Sequence, residues 1–305
     1  MCIAFWLLDQ HPSFWLILAL NRDEFHARPT LPFHFWEEDD DVQNRDGRAK
    51  ILAGRDLRGG GTWMGLTKTG RLAFLTNVRE KDWTDLTDRT SRGDLTTRFL
   101  SGDQTPHEFA DMIAQEAHNY NGFNLVVADF THGEMAFVSN RHGQSGRVDA
   151  NPTVVRKIAP GLHSLSNGTL DGKWKKMVKG KKLFGDIVVK PDGEGKSSVP
   201  MDQCNEVVPN ERIVETVLRD SERAEDVSEQ IKETQCRVDW EVPLSSIFVE
   251  KEMEGMKYGT RSMAVVGIRR DGLVSLFERY LEVEAGEWKD HSFQFQVEDG
   301  EGQVQ

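Results

Sequence analysis

The residues best suited to chemistry in this 305-residue chain lie at its start. Cysteine stands at position 2, directly after the initiator methionine, and a side chain this small permits removal of Met1. A mature chain beginning at Cys2 carries a thiol and a free α-amine on one residue, so that nucleophile and base sit side by side. Free-peptide pKa values of about 7.7–8.0 for the amine and about 8.5 for the thiol let the amine accept the thiol proton near neutrality, directly or through a water. A neighbouring arginine favours the thiolate further, and Arg22 is the first basic residue in the chain. The alternative is a small buried residue on a first strand, which is what most free cysteines are.

Two apolar runs position these groups. Ile3 to Leu8 and Phe14 to Leu20 are rich in β-formers, and Asp9-Gln10-His11-Pro12-Ser13 between them is a cluster of turn formers. The pattern predicts a β-hairpin. A turn centred near His11 pairs Leu8 with Phe14 and carries Cys2 opposite Leu20, close to Asn21-Arg22-Asp23-Glu24. Strand alternation places Leu20, Arg22 and Glu24 on one face and Asn21, Asp23 and Phe25 on the other, so Arg22 shares the face of Cys2. Arg22 and Asp23 read equally well as an ion pair closing the strand end.

Composition narrows the classes. A formal net charge of −12 and a pI near 5.3 argue against a nucleic-acid surface or an anionic membrane surface, either of which wants a concentrated basic face. Cys2, Cys204 and Cys236 are odd in number, far apart and without CxxC or Cys/His spacing, which predicts neither a disulfide framework nor a zinc site and makes a reducing compartment the default. The apolar start has no basic n-region, Asp9 to Pro12 interrupt it, and no run elsewhere approaches membrane length.

Further along, Glu37-Glu38-Asp39-Asp40-Asp41 reads as a solvated loop, and Gly59-Gly60-Gly61 as either a tight turn or a close backbone approach to a ligand. Trp63 to Leu66 and Arg71 to Thr76 predict a second hairpin in the same sheet as the first, ending at Asn77. Helices are predicted over 91–100, over 105–119 with Thr105 as N-cap and Pro106 at the first position, and over 171–184, 210–220 and 223–233. Strands are expected at 123–130, 134–139, 153–157 and 161–165. A hairpin is expected over 263–280 across Asp271-Gly272, and an edge strand at 293–297. Residues 190–201 read as a loop or insert and the chain from about 298 as a polar tail. Hairpins with helices clustered between them favour α+β layers in one domain spanning 1–305.

Cleavage of an amide by a thiolate needs neutral donors for the developing oxyanion, and the side-chain amides of Asn77 and Asn167 sit at predicted strand ends, where asparagine also serves as a turn residue. Arg261 suits a carboxylate or phosphate, or a partner among the fifty acidic residues. His163, on a predicted strand near Asn167, is either a structural histidine or a ligand for haem iron.

Met1-Cys2-Ile3, Asn21-Arg22-Asp23-Glu24 with Arg28-Pro29-Thr30, Gly61-Thr62-Trp63-Met64-Gly65, Leu75-Thr76-Asn77-Val78-Arg79-Glu80, Ser91-Arg92-Gly93, Tyr120-Asn121-Gly122-Phe123-Asn124, Leu165-Ser166-Asn167-Gly168 and Tyr258-Gly259-Thr260-Arg261-Ser262 follow one another in order. Over roughly residues 1 to 280 the chain resembles the transport-and-Golgi-organisation NRDE-motif family. The resemblance implies a four-layer αββα sandwich like that of N-terminal-nucleophile hydrolases, cytoplasmic or organellar residence at the Golgi or mitochondria, and links to secretion, Golgi organisation, lipid metabolism and haem trafficking. In the bile-salt hydrolase and penicillin V acylase branch an arginine follows the cysteine on the same strand parity, with an aspartate three residues beyond it. Arg22 matches the first, but the second position is Phe25 here, so the carboxylate must come from Asp23 or Glu24 instead. The resemblance makes Asn77 an oxyanion donor and Asn167 a donor near the nucleophile, and assigns Arg22, Arg261 and Trp63 to substrate contact. The expected activity is cysteine-dependent cleavage of a C–N amide in a small acyl or lipid-like substrate, with no cofactor required. The alternatives are a carrier or chaperone for haem or acyl lipid and a purely structural protein acting in secretion.

Overall fold

Both N-terminal apolar runs are strands: β1 (Cys2–Leu8) and β2 (Phe14–Phe25) pair antiparallel. The structure, a computed structural model, describes residues 2–36, 50–79, 89–141, 153–189, 207–253 and 255–298. The acidic run at 37–41, the insert at 190–201 and the tail beyond 298 lie outside the described residues. The chain continues through β3 (Thr30–Phe35), β4 (Ile51–Asp56), β5 (Met64–Thr67), β6 (Arg71–Asn77), α1 (Gly93–Ser101), α2 (Pro106–Glu116), β7 (Phe123–Asp129), β8 (Glu134–Ser139), β9 (Val154–Lys157) and β10 (Gly161–Leu165). Then come α3 (Lys175–Val188), α4 (Asn210–Ile213) prolonged by a π turn over Val214–Leu218, α5 (Ser228–Thr234), α6 (Val238–Glu241), β11 (Glu250–Met253), β12 (Met256–Arg269), β13 (Leu273–Glu282) and β14 (Glu287–Gln296).

The strands form two sheets. One runs β10-β1-β2-β12-β13-β14 with β11 on the end of β12, and the other is a meander from β3 to β9. Alternation on β1 sends Trp6 to one face and Phe5 to the other, and both faces are covered. Trp6, Leu18 and Leu20 of the first sheet meet Phe74, Val126 and Phe137 of the second. On the outer face of the first sheet, Phe5, Ile17 and Val265 pack against Met177 and Phe184 of α3 and against Ile213. On the outer face of the second, Ala73 and Val127 pack against Phe99 of α1 and Phe109 of α2. The result is the four-layer αββα sandwich expected of the chain. Burial on both sides explains why β1 and β2 read as unbroken apolar runs rather than alternating ones.

Helix starts obey local chemistry. Thr105 accepts from the Glu108 N–H while the Glu108 carboxylate accepts from the Thr105 N–H, a reciprocal cap that begins α2 at Pro106 as predicted. The helix expected over 223–233 begins only at Ser228, because Asp226 accepts the Ser228 N–H at 2.8 Å and the Ala224 N–H is drawn off to Ser245 Oγ.

Three other expectations are corrected. Leu8 pairs with Leu16 and Cys2 with Arg22, two residues beyond the predicted register. The turn is longer than assumed because His11 Nδ1 accepts from the N–H groups of both Ser13 and Phe14 while Asp9, at φ 51°, donates to Trp15 O. A shift of two leaves every side chain on its predicted face. The hairpin of β5 and β6 lies in the second sheet, not the first, because the chain turns after Phe25 and crosses the sandwich to begin β3. The edge strand β14 also starts well before Phe293.

Gly54 of β4 has no room for a side chain, since an added Cβ would lie 2.1 Å from the ring of Trp63. Gly54→Ala is therefore expected to lower stability by about 1–3 kcal/mol through overpacking, measured by urea denaturation. Unchanged stability would mean that the Trp63 ring is free to move.

Candidate functional site

At the open end of the β1–β2 pair, Cys2 and Arg22 sit directly opposite each other. Both are buried, and Arg22 points between the sheets, its guanidinium 4.3 Å from the ring centroid of Trp63. Arg22 Nη2 lies 3.4 Å from Asp56 Oδ2 and 4.0 Å from Glu24 Oε2. Asp56 also takes Arg28 Nε at 2.6 Å and the N–H groups of Arg58 and Gly59. Burial works against ionisation of Asp56, but the hydrogen bonds from Arg28 and Gly59 and the charges of Arg28 and Arg22 win and hold its carboxyl below the usual range. The Gly59-Gly60-Gly61 stretch thus forms a turn organised by Asp56. Gly60 has φ 75°, and a Cβ on Gly61 would strike the Gly93 backbone at 2.4 Å.

Arg261 reaches this end of the sandwich through a bulge. Thr260 pairs with Asp23 and Ser262 with Arg22, so Arg261 is the extra residue and its side chain is redirected. Its Nη1 donates to the carbonyls of Phe25 and Arg28, while its buried Nε has no hydrogen-bond partner. Burial and the nearby Arg22 charge lower its pKa to about 10.

The opposite face of β2 carries a second polar cluster, in a region otherwise filled with apolar side chains. Asp23 is buried and accepts from Thr260 Oγ1 at 2.8 Å. Lys176, in the first turn of α3, is buried and donates from Nζ to Leu244 O at 2.9 Å. Arg79, just beyond β6, forms an ion pair with the fully buried Glu241 of α6, which also accepts from Thr234 Oγ1 at 2.7 Å. Arg79 Nη2 touches Asn167 Oδ1 at 3.5 Å, and the Arg79 N–H donates to Asn167 O at 2.9 Å. Asn167 Nδ2 donates to Asn77 O at 2.8 Å, and Ser166 Oγ contacts Cys2 O and Asn167 Oδ1 at 3.2 and 3.3 Å. Cys2 and Arg22 thus share the face between the sheets with Trp63, Asp23 lies on the other face of β2, and Asn167 and Asn77 meet at the same strand end, linked to Cys2 through Ser166.

Burial dominates the electrostatics. It pushes the Cys2 thiol up from its ordinary value, aided by the Asp23 carboxylate and opposed by Arg22 and by the Asp23 N–H. Burial, the largest influence here, had no part in the sequence-based argument from charges. Asp23 is likewise raised by burial, against the pull of Lys176, Thr260 and Arg79. Burial and Arg79 push Lys176 down to about 7, against the pull of Asp23, Glu241 and Cys2.

His163 stands apart from this cluster. It pairs with Trp6, four residues along β1 from Cys2, and stacks on the Trp6 ring at 5.3 Å between centroids. Both ring nitrogens are engaged, Nδ1 with Asp171 at 2.8 Å and Nε2 with Ala159 O at 2.9 Å, so ligation of iron by His163 would break one of these contacts. Burial opposes ionisation of Asp171, but hydrogen bonds from His163, Lys181 and the Ser164 N–H hold it at about 2. A depressed folded pKa gives stability that is present above the unfolded value of about 3.9 and is lost as pH falls through about 2. The wild type should therefore lose part of its advantage in Tm over Asp171→Asn as pH drops below about 4. A difference independent of pH would show that the carboxylate charge contributes nothing.

Sequence reasoning missed Lys176, Asp56 and Glu241, and it gave Arg79 no role. Lys176 carried a signal, because it continues the buried i, i+4, i+8 stripe of Gly180 and Phe184 on α3. Asp56 and Glu241 carried none, since only the tertiary fold brings them to arginines distant in sequence.

A family model described as Transport and Golgi organisation 2 matches residues 1–283. The chain belongs to that family. It is 30% identical over 312 residues to the human Transport and Golgi organization protein 2 homolog, covering 98% of this chain and 100% of the relative. Among solved structures, it is similar to a Caenorhabditis elegans N-acylethanolamine-hydrolyzing acid amidase ortholog, with 10% identity and a TM-score of 0.42 over 60% of this chain and 77% of the other. It is also similar to a variant of the conjugated bile acid hydrolase of Clostridium perfringens, with 11% identity and a TM-score of 0.44 over 100% of both chains. The Transport and Golgi organisation 2 match runs through every residue of both clusters, from Cys2 to Arg261.

Proposed function

We propose that this family member cleaves a C–N amide bond in a small acyl or lipid-like substrate, with Cys2 as the nucleophile. The observation that carries the reading is the pairing of Cys2 with Arg22 at the strand end where Ser166 Oγ reaches both the Cys2 carbonyl and Asn167 Oδ1. The thiolate attacks the acyl carbon, the C–N bond breaks, the amine leaves with a proton, and water then hydrolyses the thioester to free acid and thiol. Asn77 and Asn167 supply neutral amide donors for the oxyanion, and Arg22 and Arg261 face an anionic group on the substrate. Asp23 assists proton movement, and Trp63 offers a flat apolar surface under Arg22. A contribution to Golgi organisation and protein secretion belongs to the same proposal, supported by the family's name, and cytoplasmic residence is proposed with it.

The test is hydrolysis of a series of N-acyl aminocoumarins of increasing acyl length. Wild type should release coumarin with a chain-length optimum, and alkylation of Cys2 should stop it. Release that continues after complete alkylation of Cys2 would overturn the reading.

The burial of the thiol favours a second reading, a carrier for acyl lipid or haem that keeps the pocket without chemistry. A carrier should bind a fluorescent fatty acid or haem without consuming it, and a haem absorption band that weakens in Cys2→Ala or His163→Ala would identify the ligand. Unchanged spectra in both variants would remove these two side chains as iron ligands.

A further inference from the structure

Arg261 is a buried cation whose hydrogen bonds are used on one side only. It is 8% exposed, and its Nη1 donates to the carbonyls of Arg28 and Phe25 at 2.5 and 3.2 Å, with Thr30 Oγ1 at 3.4 Å. Among the described residues its Nη2 makes no hydrogen bond, and its buried Nε has no partner. The free Nε–Nη2 edge is one of the edges by which a guanidinium grips a carboxylate or phosphate through two parallel N–H···O bonds. No described carboxylate is left over for it. Asp56 is taken by Arg28, Arg22 and the N–H groups of Arg58 and Gly59. Glu24 lies 3.8 and 4.0 Å from Arg28 and Arg22 and accepts the Phe25 N–H. Glu278, fully buried on β13, accepts from Ser262 Oγ and the Phe33 N–H and contacts His291 Nε2. The guanidiniums of Arg22, Arg28 and Arg261 thus share the carboxylates of Glu24 and Asp56, one negative charge short where a buried charge without a partner is costly. Trp63, stacked on Arg22, adds a second buried donor with no acceptor at its Nε1.

We propose that the Nε–Nη2 edge of Arg261 holds an oxyanion of the ligand, a carboxylate or a phosphate, so that the site takes acyl compounds carrying one in preference to neutral ones. The inference rests on the reading of this strand end as an acyl-ligand site and names which ligands it admits, for hydrolase and carrier alike. Arg22 is less suited to the task, because its Nη2 is committed to Asp56 and its face to Trp63. The bulge makes the arrangement possible. With regular alternation Arg261 would stand on the face of β12 opposite to Ser262, and the extra residue turns it toward Arg28 at the strand end that holds Arg22. Burial and the Arg22 charge already weaken its hold on a proton, so a bound anion offsets a penalty that the folded chain otherwise carries.

The test is isothermal titration of the full-length Cys2→Ala protein, in which the proposed nucleophile is gone, with probes of equal chain length below micelle formation: N-dodecanoyl glycine, dodecyl phosphate and the neutral N-dodecanoyl ethanolamine. At least one anionic probe should bind about tenfold or more tightly than the neutral one, and Arg261→Gln in the same background should reduce that preference to within about twofold. Preference for the glycine conjugate identifies a carboxylate and preference for dodecyl phosphate a phosphate, and either supports the inference. Equal binding of all the probes would overturn it, as would an anion preference that survives Arg261→Gln, and both results leave the reading of Cys2 as nucleophile standing. If Arg261→Gln does not fold, Arg261→Lys keeps a cation near the Phe25 and Arg28 carbonyls without a second edge, and an undiminished preference in it would overturn the inference equally. Failure of every probe to bind would instead remove the reading of this strand end as an acyl-ligand site, and this inference with it.

Discussion

Glu241→Ala is expected to destabilise the fold by about 3–5 kcal/mol, the cost of leaving a buried charge without its partner. Glu241 is fully buried, Arg79 is 9% exposed, and Lys176 lies close enough to feel both charges. Without the carboxylate, the Arg79 guanidinium is left buried without its partner and Thr234 Oγ1 loses its acceptor. Urea denaturation measures the loss. Replacing both partners, as Arg79→Met with Glu241→Leu, should recover most of it, because an apolar pair of similar volume restores packing without either desolvation penalty. A single-variant loss under about 1 kcal/mol would mean that water reaches the pair and that the cluster below Cys2 is not dry.

Cys2→Ala is expected to lower kcat/KM for acyl-amide hydrolysis by about 10³-fold or more, with only a small change in unfolding free energy. Alanine keeps the strand and most of the buried volume and removes only the sulfur. Asn167→Ala should lower turnover by about 10²–10³-fold if its amide faces the oxyanion. Its hydrogen bonds to Asn77 O and Arg79 also hold the β6 end against the β10 end, so its stability should be measured in parallel. Loss of activity in Cys2→Ala together with an unfolded chain would say nothing about the sulfur, whereas a folded variant of undiminished activity would exclude it as nucleophile.

Much of this site was legible before any coordinates. The apolar runs on either side of Asp9-Gln10-His11-Pro12-Ser13 specify a hairpin, and alternation along β2 correctly separates Arg22 from Asp23. The two-residue register slip escaped because it depends on His11 accepting two backbone N–H groups, a side-chain choice that no propensity encodes. It mattered, since it replaced Leu20 by Arg22 opposite Cys2. Assignment of β5 and β6 to one sheet rather than the other was equally hidden, because both sheets bury both faces and their strands look alike in sequence. Charges attract over distances that sequence does not report, so Asp56 and Glu241 emerged only with the fold. The thiol shows the limit most clearly. Its charged neighbours were predictable, but the degree of burial that outweighs them was not.

The most direct measurement is to trap the reaction on the chain itself. Wild-type protein mixed with excess N-acyl aminocoumarin and quenched in acid within one turnover should gain the mass of the acyl group, and peptide mapping should place that mass on the peptide carrying Cys2, with none in Cys2→Ala. The intact mass of the same sample reports whether Met1 has been removed. Coumarin release with no acyl group on Cys2 at any time point would contradict covalent catalysis at this residue. So would an acyl group mapped to Cys236 or to a lysine.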